Sequence, residues 1–238
     1  MKLDILVLAA HPDDAELSCG GTIISHVKKG HKVGIVDLTQ GEMGTRGTAE
    51  SRAQEAKDAA KIMGLSIREN LGIEDVYFNN SIKEQQKVIR AVRKYQPELV
   101  LANAISDRHP DHGRGAKLAI DACFMSGLKK IVTYENGIEQ LAWRPKAIYH
   151  FLQNNYLKPD FIVDVSDVWD VKLEAIRAFK SQFYDPSNTE ENTFISTPEF
   201  MESINARGRE MGHSINKKFG EGFTVNRFIG VEDLFKLI

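Results

Sequence analysis

Cysteine is nearly absent. Cys19 and Cys123 are the only two among 238 residues, and they lie far apart, in neither metal-ligand nor redox spacing. A disulfide framework, a cysteine-ligated zinc site and a C-x-x-C redox centre are thereby excluded. Both read as small buried apolar residues, as suits a reducing compartment. Neither sign of charge prevails, with 31 Lys and Arg against 33 Asp and Glu. The basic pairs Lys28-Lys29, Lys129-Lys130 and Lys217-Lys218 read as solvated helix ends, not as the clustered face that nucleic acid requires. No apolar run approaches the length of a bilayer span. The N-terminal run is short, is interrupted by Asp4 and leads straight into His11-Pro12, so it reads as a first core strand and not as a signal sequence. A cytoplasmic location is expected, without nucleic-acid or membrane partners. The G-x-G-x-x-G fingerprint is also missing after that strand, which weighs against a non-catalytic nucleotide- or ligand-binding α/β module.

What is present is an alternation of strand-like and helix-like segments. Hydrophobic residues make up 42% of the chain and charged residues 27%, which fits one globular domain spanning residues 1–238. Continuous apolar runs at Ile5–Ala9, Val33–Leu38, Leu99–Ala102, Ala147–Phe151 and Phe161–Val165 read as strands covered on both faces. Helices are expected over 15–29, with Gly30 as its stop, and over 49–63, between the cap Thr48 and Gly64. Ser81 opens another through a capping box and it ends before Pro97. Further helices are expected over 113–127, after Ser166, and from Thr197-Pro198-Glu199, where proline takes the favoured first position. The pattern predicts a Rossmann-like α/β domain, a mostly parallel open sheet with helices on both faces, wound right-handed.

Two segments stand out within this pattern: His11-Pro12-Asp13-Asp14 and His109-Pro110-Asp111-His112. Each follows a predicted strand, and ligands in such folds bind beyond the carboxyl ends of strands. A catalytic zinc takes three protein ligands and keeps one position for water. His11, Asp14 and His112 supply two imidazoles and a carboxylate, and the spacing of His11 and Asp14 lets both converge on one ion. Asp13 then remains as a general base. Asp111 can receive the free N–H of a histidine, and His109 can donate to a developing oxyanion, so that protonated His109 and ionised Asp13 form an acid–base pair. The same two-histidine, one-carboxylate set also describes a non-haem iron(II) centre, so Fe2+ stays open beside Zn2+. Gly20-Gly21 reads as a close helix–sheet approach, and Arg207 and Arg209 as partners in structural ion pairs.

His11-Pro12-Asp13-Asp14-Ala15-Glu16 followed by Cys19-Gly20-Gly21-Thr22 resembles the signature of the PIG-L/LmbE-like zinc-dependent N-acetylglucosaminyl deacetylases. His109-Pro110-Asp111-His112 is similar to that family's second motif. Thr39 to Thr48, with Arg52 and Glu55-Ala56, is similar to its substrate loop and following helix. The resemblance covers nearly the whole chain and lies nearest the bacillithiol-biosynthesis branch, whose substrate is N-acetylglucosaminyl-malate. It implies His11, Asp14 and His112 as zinc ligands, Asp13 as base, and His109 as the group stabilising the tetrahedral intermediate, with Asp111 tuning it. It implies that Arg52 binds substrate hydroxyls, with Glu42 and Arg46 as further candidates, Arg46 facing a substrate carboxylate. Loops around 40–48 and 184–197 would recognise the group attached to the sugar. Some relatives carry a tyrosine where Asp107 stands, so that tyrosine's role does not transfer. Relatives assemble into oligomers, which implies a homo-oligomer here.

Overall fold

Side-chain alternation along the first strand decides the layers. In the computed structural model, which describes residues 1–238 apart from the side chain of Lys236, β1 (Ile5–Ala9) is buried throughout. Successive strand residues point to opposite faces. Ile5, Val7 and Ala9 accordingly enter one apolar cluster and Leu6 and Leu8 another. The chain continues through α1 (Asp14–Lys28), β2 (Val33–Thr39), α2 (Ala49–Met63), β3 (Ile67–Ile73), α3 (Ile82–Tyr95), β4 (Leu99–Ala102) and α4 (Pro110–Ser126). A small hairpin, β5 (Tyr134–Glu135) and β6 (Ile138–Glu139), precedes β7 (Ala147–Phe151) and β8 (Phe161–Asp164). The chain then runs through α5 (Trp169–Arg177), α6 (Pro198–Ser214) and β9 (Gly220–Val225).

The main sheet has the order β3-β2-β1-β4-β7-β9-β8. Pairing is parallel from β3 to β7, and β9 runs antiparallel to both β7 and β8. The first cluster packs α1, α2 and α5 on one face, and the second packs α3 and α4 on the other. The mostly parallel α/β sheet expected from the sequence is what the structure shows. No helix among the described residues is long and apolar enough to cross a membrane.

Four elements depart from the sequence reading. β3 carries Arg68, Glu69 and Asn70 in its middle and lies at the sheet edge, so no continuous apolar run marks it. β9 contains Gly220 and Gly222, residues that weaken a strand. Both sit where a Cβ would meet neighbours, at 2.6 Å from Ile162 Cγ2 and 3.0 Å from Leu152 Cδ1 respectively. The β5–β6 hairpin is too short to leave a periodic signal. Finally, α4 begins at Pro110 and not at Gly113, with His109 as its cap residue. His109-Pro110-Asp111-His112 is therefore the first turn of a helix.

Candidate metal centre and its cavity

β1 and β4 are hydrogen-bonded neighbours with Leu8 opposite Ala102. The chain leaving each strand turns into α1 or α4, so the two histidine-aspartate segments meet at the carboxyl edge of the sheet. Ring centroids of His11 and His112 are 5.6 Å apart, and His109 lies 4.8 Å from the first and 5.2 Å from the second. Asp14 stands between the outer pair, with Oδ2 3.5 Å from His11 Nδ1 and Oδ1 3.1 Å from His112 Nε2.

The far nitrogen of each ring is held by carboxylates. His11 Nε2 lies 3.1 Å from Asp75 Oδ1 and 3.3 Å from Asp111 Oδ2. His112 Nδ1 bonds Asp107 Oδ2, and the other Asp107 oxygen accepts the backbone N–H groups of Asn154 at 2.9 Å and Asn155 at 2.6 Å. These partners place the ring protons on the outer nitrogens and turn two lone pairs toward Asp14, an assignment made from the hydrogen-bond network. A lone pair facing a carboxylate oxygen is favourable only with positive charge between them. A proton on each ring meets that condition: burial opposes it, but the surrounding carboxylates raise His11 and His112 above their ordinary pKa. A divalent cation meets it as well, and carboxylate-anchored histidines are the usual support of such ions.

Two sets are compact enough to hold an ion, His11 with His109 and His112, and His11 with Asp75 and Asp111. The carboxylates around the rings already accept other bonds, Asp14 from His11 N at 3.0 Å among them. Asp75 Oδ2 accepts from Met43 N at 3.1 Å, and Asp111 accepts from Val76 N at 3.0 Å and Arg114 Nη1 at 2.9 Å. His109 Nδ1 accepts from Asp111 N at 3.3 Å, which leaves Nε2–H as its donor. The side chains of His11, His109, His112 and Asp14 thus form a cluster able to hold a metal.

The adjacent carboxylates Asp13 and Asp14 differ in kind. Burial raises the carboxyl pKa of Asp14, but His112 and His11 outweigh it and hold the group well below the usual range. Asp13 is pushed up to about 7 by burial and by the charge of Asp14, against the pull of Arg52. Its backbone is left-handed, with φ 119°, and its side chain makes no capping bond although it occupies the cap position of α1. Non-glycine residues in that conformation are uncommon and concentrate at functional sites. Asp13 Oδ2 accepts from Arg52 Nη2 at 3.1 Å, and the same guanidinium donates to Pro12 O at 2.6 Å and Gly41 O at 3.2 Å. Gly41, at φ 67°, is glycine of necessity: a Cβ would lie 1.9 Å from Arg52 Nη1.

Asp111 lies against His11; the atom it gives His109 is its backbone N–H. His109 is held below its ordinary pKa by burial and by the neighbouring histidines. Arg52 lines a cavity of 260 Å³ together with Asp13, Asp14 and the three histidines. Glu42 and Arg46 are not among the residues lining it. Glu42 braces its loop by accepting from Asp75 N at 2.9 Å and Gln40 N at 3.1 Å, and Arg46 is buried 3.6 Å from Glu190. The loops expected to meet substrate do reach the cavity, through Met43 and Gly44 and through Phe194 and Ile195. Arg207 corrects the sequence reading. It lines the cavity, donates to Asn154 O at 2.6 Å and makes no ion pair among the described residues. Arg209 lies over the Phe219 ring instead of in an ion pair.

Sequence reasoning also missed Asp75, Asn103 and Gln153. Asn103 donates to Asp14 Oδ2 and Gln153 to Asp14 Oδ1, each at 2.9 Å. Both follow closely on apolar strands, β4 and β7, so the rule that such edges bear function was signal enough. Asp75 follows β3 and was hidden with it.

The chain is similar to several known proteins. Residues 6–123 match the PIG-L family model, described as GlcNAc-PI de-N-acetylase. Diacetylchitobiose deacetylase of Thermococcus kodakarensis is 30% identical over 191 residues, covering 75% of this chain and 70% of that protein. The probable N-acetyl-alpha-D-glucosaminyl L-malate deacetylase 2 of Bacillus cereus is 27% identical over 195 residues, covering 76% and 84%. The crystal structure of the conserved protein TT1542 of Thermus thermophilus superposes with a TM-score of 0.85 at 34% identity, covering 97% of this chain and 98% of that one. The chain belongs to the PIG-L family and is an enzyme of its deacetylase kind, built around a His/Asp cluster able to hold a metal.

Proposed function

We propose that the protein hydrolyses the acetamide of an N-acetylglucosamine conjugate to a free amine and acetate, with zinc held by His11, Asp14 and His112. The observation that carries this reading is the division of labour between neighbours: Asp14 bridges the two imidazoles while Asp13, unbound to either, faces the same cavity. Bound zinc would supply a Lewis acid for the amide carbonyl and lower the pKa of water toward about 7. Asp13, with a carboxyl pKa near that value, takes the proton of the attacking water and later delivers it to the leaving nitrogen. Arg52 fixes Asp13 and forms the wall against which sugar hydroxyls lie. His109 offers Nε2–H to the oxyanion. Asp75 and Asp111 keep His11 in its tautomer, and Asp107 does the same for His112.

The conjugate we favour is N-acetylglucosaminyl-malate. The similarity to the Bacillus deacetylase supports it, as do two guanidinium groups on the cavity wall, Arg108 and Arg207, which suit a dicarboxylate. The test is anaerobic assay of acetate and amine release from N-acetylglucosaminyl-malate and diacetylchitobiose, after chelation and after return of Zn2+ or Fe2+. Release restored by zinc without oxygen is expected, with preference for the malate conjugate. Release that needs oxygen would turn the assignment toward iron chemistry, and preference for diacetylchitobiose would overturn the substrate.

A further inference from the structure

The cavity does not end at the metal cluster. It continues along the carboxyl edge of the sheet past β7, where Leu152 lines it, to Gly220 and Gly222 of β9. β9 lies two strands beyond β4, which places the far end about 10 Å from the metal side at ordinary strand spacing. Helix α6 roofs this extension with Ile204 and Met211, α1 contributes Leu17, and α5 contributes Trp169. The charged groups at its end are committed to one another. Lys172 Nζ lies 2.6 Å from Glu221 Oε1, and Glu221 also accepts from Gly21 N at 2.9 Å and Thr22 N at 2.6 Å. The opposite side of the metal cluster is different, with Arg52, Asp75, Met43 and Gly44 lining the cavity. On α6 the polar residues Ser203 and Arg207 also line the cavity, with Arg207 turned to Asn154 O at 2.6 Å, and the lining toward β9 is otherwise mostly apolar.

We propose that the acyl side of the scissile amide lies in the β9 compartment, and that the enzyme hydrolyses amino sugars bearing medium-length N-acyl chains as well as N-acetyl ones. The inference rests on the amidohydrolase reading above. Chemically the step is unchanged: the water oxygen joins the acyl carbon, the C–N bond breaks, the proton passes to nitrogen, and a carboxylic acid and an amine leave. An acetyl methyl would occupy only the near end of the compartment, whereas a hexanoyl chain would bury its methylenes against Leu17, Ile204, Trp169 and Met211, with the gain expected of apolar burial.

The test compares glucosamine carrying N-acetyl, N-butanoyl or N-hexanoyl groups on the zinc-loaded enzyme. The expected kcat/KM for N-hexanoyl is at least equal to that for N-acetyl, and Ile204→Trp or Met211→Trp, which fill the compartment, lower the hexanoyl-to-acetyl ratio at least tenfold. A hundredfold lower kcat/KM for N-hexanoyl in the unmodified enzyme overturns the proposal, as does a ratio indifferent to both substitutions. A second readout does not need turnover. In a Trp143→Phe background, Trp169 emission should respond to N-hexanoyl-glucosamine at concentrations at least tenfold below those needed for N-acetylglucosamine. Equal affinities with no change in emission sink the compartment even if acetamides are cleaved. Failure to cleave any of the amides, with the emission response intact, sinks the amidohydrolase reading and leaves the compartment standing.

Discussion

Asp13 and Asp14 are chemically identical side chains set apart by what each one faces. Asp14 is drawn into two imidazoles, and Asp13 meets one guanidinium in a buried setting. Replacing Asp13 with Asn should therefore lower turnover about 10²–10⁴-fold while metal content, measured by elemental analysis, stays equal to the unmodified protein. Turnover within tenfold of wild type would remove Asp13 as the base. Asp107 makes a second prediction at this scale. Asp107→Asn keeps an oxygen for the N–H groups of Asn154 and Asn155 but cannot hold the His112 tautomer as a carboxylate does. Metal affinity should fall about 10–100-fold with little change in melting temperature, and an unaltered Kd for zinc would show that the contact is only packing. The pairing of His11 with Asp14 was legible from their spacing. Asp107 was noticed only as the place of a missing tyrosine, because a loop five residues from His112 gives no periodicity by which to place a side chain.

At the scale of elements, α1 is two helical pieces joined at Cys19, whose φ of −137° departs from helical geometry. The second piece begins at Gly20-Gly21 and is capped from a distant strand by Glu221. A Cβ on Gly21 would lie 2.8 Å from Val165 Cβ and 3.0 Å from Glu221 Oε1, so the close approach read from the two glycines is real at Gly21. Gly21→Ala should cost about 1–3 kcal/mol, as overpacking does, seen as a lower denaturation midpoint; an unchanged midpoint would mean that β8 and β9 can yield. β7 carries a pH-dependent element. His150 is fully buried and donates Nδ1–H to Asn103 O at 2.8 Å. Burial holds its pKa below the ordinary value, against the pull of that carbonyl. The unfolded chain takes up a proton near pH 6.5 and the folded one does so only at lower pH. The stability contributed is therefore present above about pH 6.5 and lost as pH falls toward the depressed folded value. His150→Gln should flatten the loss of stability between neutral and mildly acidic urea titrations, and an equally steep loss would place the sensitivity elsewhere. Strands of unbroken apolar residues were readable from sequence. β3 and β9 were not, since one is a charged edge and the other owes its glycines to neighbours remote in the chain.

For the whole molecule, the site lies where two neighbouring parallel strands end, and the side chains proposed to hold the ion come from the segments that follow β1 and β4. An ion bound by both should tie the two together and stabilise the native state by mass action. At zinc about a hundredfold above Kd the gain is about 2.7 kcal/mol, which for a chain of this size corresponds to a rise of about 5–10 °C in Tm. Scanning calorimetry with chelator and with zinc measures it, and coincident traces would mean that the cluster does not hold the metal in the folded state. The reach of Glu221 to Gly21, 200 positions back along the chain, has a consequence for biosynthesis. In a nascent polypeptide the His11–Asp14 turn is made about 200 residues before the clamp on the helix behind it. Until β9 emerges, the early segment waits in a half-assembled state, so stop codons or proteolytic nicks shortly before Gly220 should yield chains that cannot complete their active centre however much of it they already contain.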